Sequence, residues 1–320
     1  MGLTVGEQPA YEEFDLLLIY VSPFDNEFVD LLRQVCQGAG LSLLAVCQED
    51  ADVKLRRLHT ERLRPRVCLD LAAGATPSLL LVEQWASEHI RIHLNPSERR
   101  REVWRKTSLH WEFIQAGVVT PYTIPVPALV RVPDLQPPQD LWHLGVPFSA
   151  KPDIGGGGWE VVIDAQGWED VLEMRRRLPE EDLILQELIK PNELMGKRAW
   201  FRVLYACGLV VPCWWDDRTH LFGEMVSEEE RQQLGLEPLW EIAHIAAGIA
   251  RLQIFSTEVA KAHGDRFVVV DYVNDPVDLR FRPHVREGMP PEAARTLAEA
   301  IAAYLKQHST PGGSSQTSLV

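Results

Sequence analysis

A run of four glycines, Gly155, Gly156, Gly157 and Gly158, lies in the segment FSAKPDIGGGGWEVVI between two predicted β-strands. Glycine costs backbone entropy, so such a run indicates a backbone that must move or approach another molecule closely. The N–H groups of a glycine loop can surround phosphate oxygens, and Lys151 just before it can add a positive charge to the same phosphates. From these residues alone, a phosphate-binding loop and a simple flexible hairpin are both open.

The elements around this loop follow from where apolar runs and turn residues alternate. After Pro147 the order is a strand (FSAK), the glycine loop, a second strand (WEVVI), a helix (WEDVLEMRRRL) and a third strand (LILQELI). This order is typical of an α+β unit built on a hairpin. Further on, the sequence predicts two strands turning near Gly208, an apolar helix (EIAHIAAGIARLQ), a buried strand (FVVVDYV) and a closing helix from Glu292 to Gln307.

The first hundred residues have a different pattern, in which the apolar runs LLLIYV, LSLLAV, VCLDLA and IRIHL alternate with helical segments. Continuous apolar strands separated by helices predict a parallel sheet covered on both faces. The turn after the first strand, SPFDNEF, contains no glycine, so the dinucleotide fingerprint of a Rossmann dehydrogenase is absent. A charged helix is predicted from Glu98 to Ala116, and a domain boundary lies near it.

Composition restricts the class of partner. The formal charge of -14 disfavours nucleic acid and anionic membranes as partners, and no segment reaches the ~18 apolar residues of a membrane span. The five cysteines show no C-x-x-C spacing, which favours buried thiols in a reducing compartment. We therefore expect a soluble cytoplasmic protein. The P-loop, protein-kinase and H-E-x-x-H signatures are absent.

The order of segments from the first strand to Arg280 resembles the ATP-grasp superfamily. The resemblance implies an α/β (α+β) fold with an N-terminal parallel α/β domain in residues 1–96. It further implies an ATP-grasp fold of two α+β subdomains, a central lid with the glycine loop in 97–190 and a C-terminal subdomain with metal ligands in 191–307. Residues 308–320 are predicted to be a disordered tail, since they are rich in Ser, Thr and Gly.

The resemblance also implies where the nucleotide binds. Family members direct two lysines at the α- and β-phosphates, and Lys106 and Lys151 match their places beside the glycine loop. A hinge after the third strand reads adenine through its backbone, since adenine matches one N–H and one C=O group. The implied hinge and ribose residues are Gln186, Glu187, Leu188, Ile189 and Glu193.

For chemistry, the resemblance implies two arginines and three metal ligands. Arg202 corresponds to the inward arginine that grips the phosphates or the acyl group, and Arg280 is assigned to the phosphoryl group, with a surface ion pair as the alternative. Glu258, Asp271 and Asn274 match the family's metal ligands by type and order. Magnesium accepts such a sparse oxygen set because phosphate and water complete its octahedron.

One spacing departs from the family pattern. Asp271 and Asn274 are three residues apart and would point to opposite faces of a regular strand, with Tyr272 where the usual acid stands. Three possibilities follow: a β-bulge realigns Asp271, Asp275 or Asp278 replaces it, or the metal site is altered.

The implied function is an ATP-dependent ligase that activates a carboxylate as an acylphosphate for attack by an amine or similar nucleophile. The expected cofactors are ATP and Mg²⁺, with Mn²⁺ as a substitute. The expected partners are a small-molecule or peptide carboxylate, an amine co-substrate, and a second copy in a homodimer. The alternatives are a kinase of the same fold and a nucleotide-binding protein with impaired catalysis.

Overall fold

The structure is a computed structural model that describes residues 11–60, 62–155 and 158–308. These residues form two compact units. One comprises the chain up to Ser97 together with the chain from Asp278 onward, and the other comprises Glu98–Val277. The predicted tail, apart from His308, lies outside the described residues, as do Gly156 and Gly157.

The first unit is built on a parallel four-stranded sheet of order β2-β1-β3-β4. Its N-terminal elements are β1 (Glu12–Ile19), α1 (Asn26–Gly38), β2 (Leu43–Val46), α2 (Ala51–His59), β3 (Leu63–Asp70), α3 (Pro77–His89) and β4 (Ile92–His93). The apolar run of β1 is fully buried from Leu16 to Ile19, because helices cover both faces of a parallel sheet. The predicted parallel α/β domain is thus confirmed.

The second unit begins with two short helices, α4 (Ser97–Val103) and α5 (Lys106–Gln115), where one continuous helix was predicted. The break occurs because Arg105 is extended and forms an isolated β-bridge with Ile154, and because the Trp104 indole donates to the Asp275 carbonyl at 2.8 Å. Lys106 consequently stands at the first position of a new helix.

A four-stranded antiparallel sheet of order β5-β8-β6-β7 follows. Its elements are β5 (Thr123–Val126), β6 (Phe148–Pro152), β7 (Val162–Ala165), α6 (Trp168–Arg177) and β8 (Leu183–Glu187). Helix α6 packs Val171 and Met174 against Leu183 and Leu185, so this sheet has its own apolar core.

A larger antiparallel sheet of order β13-β12-β11-β14-β15 completes the second unit. Its elements, with those that flank it, are β9 (Glu193–Leu194), β10 (Lys197–Arg198), β11 (Trp200–Ala206), β12 (Leu209–Asp216), β13 (Leu221–Met225), α7 (Glu228–Gln233), α8 (Pro238–Ala250), β14 (Ile254–Ala262) and β15 (Arg266–Asn274). Helix α8 covers one face, burying Phe201 and Val203. The alternate residues of β11, including Arg202, therefore face the other side.

The closing helix, α9 (Pro291–His308), belongs to the first unit and packs against α1. It therefore does not belong with Glu98–Val277, although the sequence predicts it within the C-terminal subdomain. Among the described residues, no helix combines the length and apolarity needed to cross a membrane.

Candidate functional site

The glycine loop is joined to the start of α5. The Lys106 ammonium donates to the Gly155 carbonyl at 2.5 Å, and the Lys106 backbone N–H donates to the Asp153 carbonyl at 2.9 Å. Gly155 and Gly158 have φ values of +147° and +74°, a region that glycine enters without steric cost. The end of β6, which carries Lys151, and the start of the loop are thereby held beside the Lys106 ammonium.

Asp153 holds this junction, although nothing in the sequence marked it. Its carboxylate is 2% exposed and accepts the Thr107 N–H at 2.6 Å, as a capping residue does, and a second bond from the Arg105 guanidinium at 3.0 Å. The partners are 46 and 48 residues away in the chain, so only the fold brings them together.

Positive charges from three elements converge on Asp271, a half-buried residue of β15. Lost hydration would raise the pKa of the Asp271 carboxyl, but the charges of Lys151, Lys106 and Arg202 outweigh that effect and lower it. Lost hydration lowers the pKa of the Lys106 ammonium, with Asp271 opposing this effect and Lys151 adding to it. The two predicted phosphate lysines and the predicted metal ligand are thus electrostatic neighbours.

Strand β15 contains two β-bulges that settle its unusual spacing. In the register of the two strands, Asp271 lies opposite Glu258 of β14 and Asn274 lies opposite Ser256. Two residues of β15, Tyr272 and Val273, therefore lie opposite the single residue Thr257. A second extra residue lies between the pairs Glu258–Asp271 and Val259–Val269. Because Ser256 and Glu258 share a face of β14, their partners Asn274 and Asp271 share that face too.

The two other candidates for the acid have different contacts. Asp275 is buried and accepts a bond from the Arg100 guanidinium at 2.6 Å, within the second unit. Asp278 lies in the first unit and pairs with Arg280 at 2.6 Å. Of the three possibilities given for the Asp271–Asn274 spacing, the structure therefore contains the first, a β-bulge that realigns Asp271.

The predicted arginine and the predicted acid of β14 form an ion pair. Arg202 Nη1 donates to Glu258 Oε1 at 2.9 Å, and Trp200 Nε1 donates to Glu258 Oε2 at 3.1 Å. Arg202 also lies 4.9 Å from the centre of the Trp215 ring. Burial raises the pKa of the Glu258 carboxyl, opposed by Arg202 and reinforced by the negative charge of Asp271. Two carboxylates that repel each other on one face are suited to a shared cation.

The donor set fits a divalent cation that takes most of its ligands from phosphate and water. Among the described residues, no three His, Cys, Asp or Glu side chains form a metal-binding group. Two carboxylates and one amide are available, from Glu258, Asp271 and Asn274. Asn274 Nδ2 is buried and makes no hydrogen bond of regular geometry. The Asn274 side chain nevertheless interacts with the Asp271 carboxylate and helps to lower its pKa. Magnesium characteristically uses such incomplete protein cages.

The predicted adenine hinge lies at the end of β8. Gln186 is buried, and its carbonyl accepts a bond from Ser149 Oγ at 3.2 Å. The Glu187 carboxylate accepts the Tyr122 N–H at 2.9 Å, so it stabilises the neighbouring strand in the structure. Leu188 and Ile189 follow β8 outside regular strand, and Glu193 is exposed in β9 opposite Arg198. Their nucleotide contacts remain a prediction.

Arg280 lies in the first unit, where its guanidinium pairs with Asp278 and lies 4.2 Å from the centre of the Phe24 ring. The hydrogen bond to Asp278 is the main cause of the raised pKa of Arg280. The ion pair with Asp278 is the alternative given above for Arg280, and a role of Arg280 at the phosphoryl group remains a prediction. Two cations that precede Arg202 in the chain have other contacts: Arg198 makes two bonds to Asp217, at 2.7 and 2.6 Å, and the Lys197 ammonium lies 4.8 Å from the centre of the Trp214 ring.

Tyr272 connects the two sheets of the second unit, a role the sequence did not indicate. Its hydroxyl lies 2.8 Å from His110 Nδ1 of α5 and accepts a bond from Gln186 Nε2 of β8 at 2.9 Å. Gln186 Nε2 also donates to Thr123 Oγ1 of β5 at 2.9 Å. Burial lowers the pKa of His110 to about 4, so the imidazole is neutral and its Nδ1 is free to accept the tyrosine proton.

The neutral His110 makes stability depend on pH. The folded pKa of His110, about 4, lies below the ordinary histidine pKa of 6.5, so the unfolded chain takes up the proton first as pH falls. Its contribution is present above pH ~6.5 and decreases towards pH ~4, by at most about 3 kcal/mol. We expect His110→Phe to reduce this loss of unfolding free energy at acid pH, measured from urea unfolding curves.

Asp25 of the first unit has the opposite effect in the same pH range, because burial raises its pKa to about 6 and protonation then favours the folded chain. The comparison must therefore be between variant and wild type at each pH, and equal acid losses in both would contradict the prediction.

No family model and no curated protein matches the sequence. Solved structures do match. The D-cycloserine synthetase DcsG has a TM-score of 0.60 at 16% identity, covering 91% of this chain and 99% of its own. The D-alanine–D-alanine ligase from Bacillus anthracis, complexed with ATP, has 0.61 at 11%, covering 92% and 96%. The ATP-grasp ligase PsnB, complexed with precursor peptide PsnA2 and AMPPNP, has 0.58 at 13%, covering 91% and 97%. At these identities the likeness concerns the fold.

Proposed function

Because this chain has the ATP-grasp fold, we propose that it is an ATP-dependent ligase that activates a carboxylate as an acylphosphate for attack by an amine or similar nucleophile. The observation that carries the proposal is the grouping of cations and carboxylates: Lys106 bonds to the Gly155 carbonyl of the glycine loop, and Arg202 pairs with Glu258, which lies opposite Asp271 in the sheet. The charges of Lys151, Lys106 and Arg202 lower the pKa of Asp271, which agrees with this grouping. A set of cations around a carboxylate face is what a triphosphate with a divalent cation requires.

In this proposal the side chains divide between two ends of the triphosphate. Lys106 and Lys151 bind the α- and β-phosphates from the side of the glycine loop. Glu258, Asp271 and Asn274 hold Mg²⁺ on the sheet. When bound, Mg²⁺ supplies positive charge to the terminal phosphate oxygens. The residues from Gln186 to Ile189 bind adenine and Glu193 binds ribose, as the resemblance to the ATP-grasp superfamily implies.

The reaction requires no covalent nucleophile from the protein. A substrate carboxylate oxygen attacks the γ-phosphorus, the bond to the β–γ bridging oxygen breaks, and ADP leaves with that electron pair. The amine then attacks the acyl carbon, the bond to the phosphate oxygen breaks, and the amine proton passes to water. Arg202 is placed to hold the acyl or phosphoryl oxygens, because a guanidinium grips two oxygens at once. Catalysis is then mainly positioning and charge neutralisation.

Two features support a small-molecule or peptide carboxylate as substrate. The matched solved structures include a D-alanine–D-alanine ligase and a ligase complexed with a precursor peptide. Near Arg202, the Trp215 indole nitrogen is buried without a hydrogen-bond partner, and an unpaired buried donor typically costs about 1–3 kcal/mol. A substrate oxygen beside Arg202 is a partner of suitable chemistry.

The test measures ADP release with MgATP and a panel of amino acids and short acidic peptides, each with and without an amine. We expect ADP release that depends on both partners, and a hydroxamate product when hydroxylamine replaces the amine, because hydroxylamine traps acylphosphates. Full ADP release without any amine would favour a kinase of the same fold. ATP binding without turnover across the panel would favour a nucleotide-binding protein. The Asp271–Asn274 spacing does not support that alternative, because the bulge brings the two side chains to the same face of the sheet.

A further inference from the structure

The bulge in β15 needs its own support, because an extra residue interrupts the ladder of backbone hydrogen bonds. Thr257, which is 0% exposed, lies opposite the extra residue and donates its hydroxyl to the Asp271 carbonyl at 2.9 Å. A side chain of β14 thus satisfies a backbone group of the bulge, next to the proposed metal ligand.

A second support comes from the opposite direction. Tyr272, also 0% exposed, is one of the two residues opposite Thr257. Its ring packs against Phe113 at 5.4 Å, and its hydroxyl is fixed by His110 of α5 and Gln186 of β8. Because Tyr272 follows Asp271 directly, contacts that hold the tyrosine also restrain the backbone of Asp271.

We propose that Thr257 and Tyr272 are positioning residues for the divalent cation: together they fix the bulge that brings Asp271 and Asn274 to the face of Glu258. Without the bulge, the three-residue spacing would direct Asp271 and Asn274 to opposite faces. The proposal rests on the proposed function, in that this face is taken as the cation site. It assigns Tyr272, which stands where the family pattern has an acid, a structural reason to be tyrosine.

The test is Mn²⁺ binding, measured by electron paramagnetic resonance and calorimetry on the full chain, with and without AMPPNP. Tyr272→Phe and Thr257→Val remove one hydroxyl each with little change of shape. We expect each to weaken Mn²⁺ binding by about 10-fold, the lower end of the effect of residues that orient metal ligands. Affinity for AMPPNP without metal should stay within about 2-fold of wild type, because the two hydroxyls bond to the Asp271 carbonyl, to His110 and to the Gln186 side chain, whereas the proposed hinge binds adenine through its backbone. Tyr205→Phe is the matched control, a buried tyrosine of the same sheet that stacks on Phe255 at 5.0 Å.

A further variant separates positioning from simple destabilisation. Tyr272→Phe leaves the His110 nitrogen unpaired, whereas the double variant Tyr272→Phe/His110→Phe removes both polar groups and should recover stability. We expect Mn²⁺ affinity to stay low in the double variant. Recovery of Mn²⁺ affinity along with stability, or wild-type affinity in both single variants, would overturn the proposal and leave the proposed function standing. If wild type bound AMPPNP but no Mn²⁺, the positioning proposal would be overturned while nucleotide binding remained; binding of neither would overturn both.

Discussion

Lys151→Ala is expected to weaken ATP binding by about 10- to 100-fold, the range for losing one charge-assisted bond to a phosphate. Lys151 lies at the end of β6, four residues before Gly155, and of the three cations that lower the pKa of Asp271 it has the largest effect. An alanine there removes the phosphate contact and one cation of the site, while β6 keeps its pairing with β8. Calorimetric titration with AMPPNP, with and without Mg²⁺, measures the effect.

Lys197→Ala is the matched control for this measurement. Lys197 belongs to β10 of the same unit, its side chain is 54% exposed, and its ammonium lies over the Trp214 ring. We expect its removal to leave ATP affinity unchanged. If Lys151→Ala bound ATP as tightly as wild type, the placement of the phosphates beside the glycine loop would be wrong, and the proposed function would lose its main support.

Lys106→Ala is less suitable as a first test, because Lys106 has two roles. Its ammonium bonds to the Gly155 carbonyl, so alanine would alter the loop itself as well as the charge. A loss of affinity in that variant could not be assigned to a phosphate contact. Among the described residues, Lys151→Ala removes a positive charge without removing a hydrogen bond to the loop backbone, so its effect on ATP affinity is easier to interpret.

The sequence predicted the elements better than their junctions. The apolar runs around Leu16 and Val67 gave a parallel sheet, because a strand buried on both faces has a continuous apolar pattern. The predicted helix from Glu98 to Ala116 is divided at Arg105. The division depends on partners far along the chain, since Arg105 forms a β-bridge with Ile154 and a bond to Asp153, and helical periodicity carries no information about such partners.

The candidate site shows the same limit. The types and order of Glu258, Asp271 and Asn274 were visible in the sequence, but their common face was not, because a bulge is a property of two paired strands. It requires Thr257 on one strand and the Tyr272 network on the other. A pattern with period two, applied to β15 alone, places the side chains on opposite faces.

Asp271→Asn is the second variant with a large expected effect. The substitution keeps the shape of the side chain and removes its charge, so the cation loses one of two carboxylates. We expect ADP release to fall by on the order of 100- to 1,000-fold, comparable to removing one electrostatic contact of a transition state. The measurement is ADP release at saturating ATP over a series of Mg²⁺ concentrations. Asp265→Asn is the control, since Asp265 lies in the turn between β14 and β15 with its side chain 82% exposed.

The direction of the effect on nucleotide binding distinguishes a metal ligand from a simple structural acid. Asp271 is a negative charge close to Lys106, Lys151 and Arg202, so its removal leaves these cations less compensated. ATP without Mg²⁺ should then bind the variant as tightly as wild type or more tightly, because the phosphates meet less repulsion. The enhancement of ATP affinity by Mg²⁺ should shrink at the same time. If Asp271→Asn instead weakened metal-free ATP binding and kept the enhancement by Mg²⁺, Asp271 would be acting through the fold, and the cation would have to be held elsewhere.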